Sequence, residues 1–172
     1  MLTFRLKNFL KKQHVLELID NNAWEEFYDK LYAYDPENVG EVTNFLINTV
    51  GIDPLIYMST VPKYFRSEDH TITTLTIPNN IKKIETCAFE LCESLTSVTI
   101  PASVELIGQW AFKGCTNIKS IIIEGSNTHA ESFAFFGVHN ATVTINKDNE
   151  DMIYYFENTG DNDVRVVSRW SK

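Results

Sequence analysis

The chain has 172 residues, 44% of them hydrophobic and 12% aromatic, with 15 Lys and Arg against 23 Asp and Glu for a formal charge of −8. That is enough apolar material for one continuous core spread over two lobes, and the acidic balance disfavours direct nucleic-acid binding, which needs a basic face to meet phosphates. No apolar run reaches the length of a membrane span, and the opening MLTFRLKNFLKK lacks the apolar stretch and cleavage site of a signal peptide, so the expected location is the cytoplasm.

Through about residue 60 the apolar period is helical. Leu6, Phe9 and Leu10, then Trp24, Phe27, Tyr28 and Leu31, then Val39, Val42, Leu46 and Val50 recur at spacings of three and four. The spacing predicts three main helices and a short fourth near Pro54 to Met58. Asn22 with Glu25 reads as a capping box, Asp35-Pro36 and Asp53-Pro54 as caps with Pro at the first helical position, and Gly51 as a helix end. The stripe around Trp24 is read as core, part of an N-terminal cap packed on the remainder of the chain.

From Ile72 to His139 the chain repeats itself. ITTLTIPNNIKKIETCAFELCES, LTSVTIPASVELIGQWAFKGCTN and IKSIIIEGSNTHAESFAFFGVH align at a period of 23 residues, with one residue missing from the third copy. Such a period marks a solenoid, whose coils bury their apolar faces only by stacking. Leu75, Val98 and Ile121 form one inward column, Ile77, Ile100 and Ile123 a second, the alanines 88, 111 and 134 a third, and Phe89, Phe112 and Phe135 a fourth. Apolar residues alternate with Thr or Ser around the first two columns, the period of a half-buried strand. Pro78 and Pro101 follow that strand, where pairing should stop.

The ends of the array are marked by departures from the pattern. Copy three has Glu124 in place of Pro, polar Asn127 and His129 in apolar positions, and Val138 in place of Cys. NATVTI from Asn140 reads as one more strand, and MIYYFEN and VRVVSRW as a tail that caps the end, with Trp170 or Tyr154 and Tyr155 sealing it. Upstream, VPKYF reads as a degenerate half coil. Cys92 and Cys115 share a column while Cys87 lies in another with Trp110 and Phe133. An odd count with two core members favours reduced thiols, although stacked strands could bring Cys92 and Cys115 within bonding reach.

The pattern LTSVTIPxSVxxIGxxAFxGC resembles the leucine-rich repeats of the BspA-like class. The resemblance implies an α+β chain: a helical lobe at 1–60, a short leucine-rich-repeat solenoid of three to four coils at 61–146, and a C-terminal cap at 147–172. The segment FLKKQHVLELIDNNAWEEFYDKLY and the phrase GIDPLIYMSTVPKYF also look like small leucine-rich-repeat proteins of phages and mobile elements. That second resemblance implies a cytoplasmic protein acting on a host or phage macromolecule.

Function is read from surface and charge. No pair of His or Cys has zinc spacing, and no phosphate loop, nucleophile elbow or cofactor fingerprint is present, so the expectation is a non-enzymatic protein-binding module without metal or cofactor. Strand positions facing outward, Thr74, Thr76, Ser97, Thr99, Ser120, Ile122, Thr142 and Thr144, are one candidate partner surface. Acids are the other: Glu25, Glu26 and Asp29 from a run of eight between residues 17 and 41, and Asp148, Glu150 and Asp151 after the repeats. An acidic face suits a protein partner with a basic nucleic-acid channel, which with the phage-like resemblance implies an inhibitor of a host defence protein such as a CRISPR nuclease. The alternative is a scaffold for phage assembly or cell-surface adhesion. Oligomeric state is not legible.

Overall fold

The computed structural model describes residues 23–158 and 163–169. The expected first helix around Leu6 lies outside them, as do Asn22 and Trp170. Helix α1 (Trp24–Tyr34) is followed by a 3-10 turn at Pro36–Asn38, by α2 (Val39–Phe45), which runs on as a π turn to Val50, and by a second 3-10 turn at Pro54–Tyr57. The apolar face of α1 is fully used: Trp24, Phe27, Tyr28 and Leu31 are each at most 3% exposed. Val39, Val42 and Leu46 are buried likewise, but Val50 is 49% exposed because the helix has by then widened and is ending.

Helix punctuation is met in part. Gly51 closes the π turn with φ 80°, the left-handed conformation that glycine adopts without steric cost. The Asp53 carboxylate accepts from the Leu55 N–H at the turn opened by Pro54. Of the capping box expected of Asn22 and Glu25, Asn22 lies outside the described residues, and α1 follows Ala23, which gives it no side-chain cap. Glu25 instead accepts from the Ser59 N–H at 3.0 Å and the Ser59 hydroxyl at 2.6 Å, across 34 residues. Its partner is tertiary. Asp35 gives no side-chain cap either; its side chain is buried, with Oδ2 unpartnered among the described residues.

From Thr60 the chain winds into coils. A parallel sheet takes β2 (Thr74–Thr76), β4 (Ser97–Ile100), β6 (Ser120–Ile123), β8 (Ala141–Asn146) and β9 (Val164–Arg169) in that order. A second takes the two-residue strands β1 (Thr60–Val61), β3 (Lys83–Ile84), β5 (Leu106–Ile107) and β7 (His129–Ala130). Register obeys the repeat. Leu75 lies opposite Val98 and Val98 opposite Ile121, and the next step, Ile121 to Val143, is one residue shorter, which absorbs the deletion in copy three. The VPKYF half coil is real: Val61 pairs with Ile84, and Phe65 meets Phe89 at 6.3 Å.

The phenylalanine column is the axis of the core. Phe89 stacks on Phe112 at 5.2 Å and Phe112 on Phe135 at 5.0 Å, with ring planes within 11° and 7°. Tyr28 of α1 continues the column at 5.4 Å from Phe65, and Phe156 ends it at 5.1 Å from Phe135. Helices and coils therefore share one apolar cluster reaching from Trp24 to Phe156. Gly40 shows how closely they meet, since a Cβ there would stand 2.8 Å from the Ser67 carbonyl oxygen.

Where the repeat degenerates, polar contacts take over. Glu124 donates to the Ile100 carbonyl at 3.0 Å through the N–H that a proline would lack. Thr128, fully buried, donates its hydroxyl to Val104 O at 2.7 Å. The carboxamide of Asn80 donates to the carbonyls of Leu55 and Met58, and that of Asn149 to those of Gly125 and Thr128. One asparagine thus clamps each end of the array, closing carbonyls three residues apart. The tail both covers and extends the solenoid: α3 (Glu150–Asn158) buries Met152 and Phe156, then β9 pairs with β8 along six residues. That pairing gives the main sheet five strands, where the repeat alone predicts three to four coils. Tyr155 seals the end, its hydroxyl accepting from Phe135 N–H at 3.3 Å, but Tyr154 does not, being 69% exposed on the outer face of α3.

Two substitutions or truncations probe this packing. Phe112→Ala removes a ring stacked on both sides, and the expected loss is about 3–5 kcal/mol, read as a lower urea midpoint with a single transition. A chain beginning at residue 60 exposes Phe65 where Tyr28 covers it, and is expected to aggregate or to melt well below the full chain; equal melting temperatures would show that the helices do not support the coils.

Candidate functional site

The strand face is arranged as the alternation requires. Leu75, Val98, Ile121 and Val143 point inward and are at most 6% exposed, so Thr74, Thr76, Ser97, Thr99, Ser120, Ile122, Thr142 and Thr144 form an outward ladder. Thr74, Thr76 and Thr142 are exposed, while Ser97, Thr99, Ser120, Ile122 and Thr144 are half-buried by neighbouring strands. The face is regular, nearly flat in chemistry and uncharged.

The turns opposite are more distinctive. Tyr64, Cys87, Trp110 and Phe133, one per coil, all have φ between 55° and 62°. Four residues further on, Glu68, Leu91, Gly114 and Gly137 are also left-handed. Each coil therefore carries two backbone positions that ordinary residues avoid, held by coil-to-coil bonds such as Leu91 N–H to Lys113 O at 2.7 Å and Gly114 N–H to Phe136 O at 2.8 Å. The first of each pair is half-buried at Tyr64, buried at Cys87 and exposed at Trp110 and Phe133. Trp110 is 38% and Phe133 47% exposed, giving an aromatic ridge, interrupted by the buried Cys87, that the repeat columns did not single out. The glycines at 114 and 137 were the signal.

At its N-terminal end the ridge borders a cleft of about 890 Å³ between the helices and the first coils, lined by Tyr32, Tyr64, Glu37, Glu41, Glu68 and Glu90 among others. Tyr32 of α1 and Tyr64 stack at 5.9 Å with planes 12° apart. Burial, then contact with the Cys87 thiol, pushes the Tyr64 hydroxyl up. A second groove of about 520 Å³, on the other side of Tyr32, is lined by Glu25, Asp29, Lys63, Lys83 and Glu85. Cations sit on the ridge already: Lys63 Nζ lies 5.2 Å from the Tyr32 ring centre, and Lys113 Nζ lies 5.2 Å from that of Trp110 and 2.8 Å from Glu90 Oε1.

The predicted acids divide into engaged and open groups. Glu25 is tied to Ser59, whose hydroxyl and N–H hold its carboxyl below the usual range. Glu26 pairs with Lys30 at 3.0 Å, Asp148 with Lys147 at 2.8 Å and Asp151 with His129 Nδ1 at 2.8 Å. Asp29 and Glu150 are exposed. The N-terminal and C-terminal acids flank opposite ends of the array and do not form one face. Glu37, Glu41 and Glu68, in the cleft, have no ion-pair partner among the described residues.

Cysteines and metal-ligating types give no reactive centre among the described residues. All three thiols are free and buried; Cys92 and Cys115 donate to the carbonyls of Arg66 and Phe89. Burial, aided by the Glu90 carboxylate, pushes Cys87 up to about 11, and the neighbouring Cys92 thiol, then burial, raises Cys115. Thiolates are the reactive form, so these are core side chains. No group of three His, Cys, Asp or Glu in the described residues is placed to hold a metal, and no described helix is long and apolar enough to cross a membrane.

The family described as BspA type leucine rich repeat region (6 copies) matches residues 59–166. The chain belongs to that family. Neither the curated proteins nor the solved structures contain a match. The repeats make the chain a protein-interaction module, and the stacked coils supply the extended surface such modules use.

The turn that carries the cleft is fixed by a buried ion pair. Arg66 contacts Asp69 through Nε and Nη2, and Thr71 donates to Asp69 through its N–H and its hydroxyl. Burial opposes ionisation of Asp69, but the Thr71 bonds and the Arg66 charge outweigh it and hold the carboxyl below its usual 3.8. A depressed folded value means stability that is complete above the unfolded value and lost as pH falls through the folded one. Below pH 3.8 the melting temperature should fall. Asp69→Asn is expected to lose about 1.5–3 kcal/mol at neutral pH and to show a shallower acid slope in the same melts.

Proposed function

We propose that this chain is a non-enzymatic capture protein that binds a partner bearing a basic nucleic-acid-binding surface. In this reading it is a phage-encoded inhibitor that sequesters a host defence protein, such as a CRISPR nuclease, in the cytoplasm. The observation that carries it is the acid-lined cleft beside α2, where Glu37, Glu41 and Glu68 meet no cation of the described chain. A carboxylate-rich concavity attracts basic proteins and speeds their association while repelling acidic ones. The phage-like character of FLKKQHVLELIDNNAWEEFYDKLY supports the source of the partner.

A scaffold reading draws on a different surface, the Thr and Ser ladder of the five-stranded sheet, which is uncharged and suited to a flat protein contact. Affinity purification of the tagged chain from expressing or infected cells, with mass spectrometry, separates the two. A nuclease whose capture declines with added salt, and which loses its nucleic acid on binding, is the expected result. Recovery of virion structural proteins without a nuclease would favour the scaffold. Glu replacing Thr76, Thr99 and Ile122 together should abolish scaffold capture and leave inhibitor capture intact.

A further inference from the structure

We propose that the cleft between α2 and the first coils is a receptor for arginine side chains of the partner, held between the Tyr32 and Tyr64 rings and the carboxylates of Glu41 and Glu68. The proposal rests on the capture reading above and names the chemistry that the cleft recognises.

Its basis is an arrangement the chain already fills once. In the neighbouring coil, Lys113 lies over the Trp110 ring at 5.2 Å and against Glu90 at 2.8 Å, a cation between an aromatic face and a carboxylate. Trp110 and Tyr64 belong to one column and share its left-handed backbone. Lys113 comes three residues after Trp110, and the residue three after Tyr64 is Ser67. The first coil therefore has the ring and the acids with serine at the cation's position. Glu37, Glu41 and Glu68, none paired among the described residues, line the same cleft as Tyr64, and a second ring, Tyr32, stacks on the first and carries the Lys63 ammonium at 5.2 Å from its centre. The wall also contains Asn44, whose side-chain oxygen has no hydrogen-bond partner among the described residues.

Charge complementarity selects a cation, and the rings select its kind. A guanidinium is planar, weakly hydrated and forked, so it can lie flat on a tyrosine face while donating to two carboxylate oxygens side by side; an ammonium meets the same groups as a compact, strongly hydrated point charge. A cleft of about 890 Å³ has room for more than one such side chain, as a basic segment of a nucleic-acid-binding protein would present. Acids and rings here come from both α1 and α2 and from the first two coils, so the receptor exists only when helices and coils are docked.

The test uses the full chain and a fluorescein-labelled hexa-arginine peptide, with anisotropy at physiological ionic strength. Binding tighter than that of a hexa-lysine peptide is expected. Tyr32→Ala with Tyr64→Asn should weaken it by about tenfold, the scale of a desolvated cation on an aromatic face; Asn tolerates the left-handed backbone. Glu41→Gln with Glu68→Gln should weaken it as much. Asp148→Asn with Glu150→Gln removes the same formal charge at the other end and should change nothing. Unaltered melting temperatures confirm folding of each variant. Equal weakening by the distant pair, or no preference for arginine over lysine, overturns the proposal as diffuse attraction. A nuclease captured from cells equally well by the tyrosine variant would overturn it while leaving the capture reading in place, and failure to capture any partner would do the reverse.

Discussion

Everything in this molecule depends on coils stacking at the spacing of hydrogen-bonded parallel strands, about 4.8 Å. At that spacing every side chain on the inner wall meets its equivalent one coil away, so a residue is chosen for compatibility with its own repeat. The phenylalanine rings satisfy this by lying parallel, 5.0 to 5.2 Å apart, and the alanines beside them by being small enough not to obstruct. A branched residue at Ala111 would hold the coils apart and break strand pairing on both sides at once. The same spacing demands that each turn repeat its backbone, which is why Tyr64, Cys87, Trp110 and Phe133 share one unusual conformation despite sharing little chemistry. Left-handed non-glycine residues cost about 1–3 kcal/mol each, and the bonds between successive turns offset that cost only while the stack is intact.

A stack of this kind has two ends, each exposing an apolar column and unpaired backbone groups. The two ends are closed by different elements using the same devices. A helix lays an aromatic ring on the last phenylalanine, Tyr28 on Phe65 and Phe156 on Phe135. An asparagine amide satisfies two carbonyls of the adjoining turn, Asn80 at one end and Asn149 at the other. Loss of the repeat in copy three is therefore a change of closure, with Thr128 and Asn149 supplying by hydrogen bonds what proline and valine supply by shape in copy two.

Because the inner columns are committed to stacking, chemistry for a partner can only come from outward positions and from the seams. The strand face offers Thr and Ser, with little to distinguish one partner from another. The seam beside α2 differs, since helix and turn residues meet there without obeying the repeat. Helical residues Tyr32, Glu37 and Glu41 meet Tyr64 and Glu68 of the coils, joining aromatic surface to carboxylates without an ion-pair partner among the described residues. The buried Arg66–Asp69 pair anchors the turn between them, linking the stability of the first coil to the shape of the cleft.

The period of 23 residues, the four inward columns, the half coil at VPKYF and the helical lobe were legible in the amino-acid sequence, because stacking forces equivalent positions to be alike and alternation reports which way a strand side chain points. The Gly51 terminus and the Asp53 cap were legible too, since both act within a few residues. Tertiary structure decided the rest. Glu25 reads locally as half of a capping box, yet it accepts from the N–H and hydroxyl of Ser59, a donor pair 34 residues away that only folding brings close. β9 reads as part of a terminal cap, yet it lengthens the sheet, because the exposed edge of β8 offers six residues of pairing that no local pattern records. The cleft was invisible for the same reason: Tyr32 and Tyr64, 32 positions apart in the chain, share neither a helix period nor a repeat column, and become neighbours only when a helix docks on a coil.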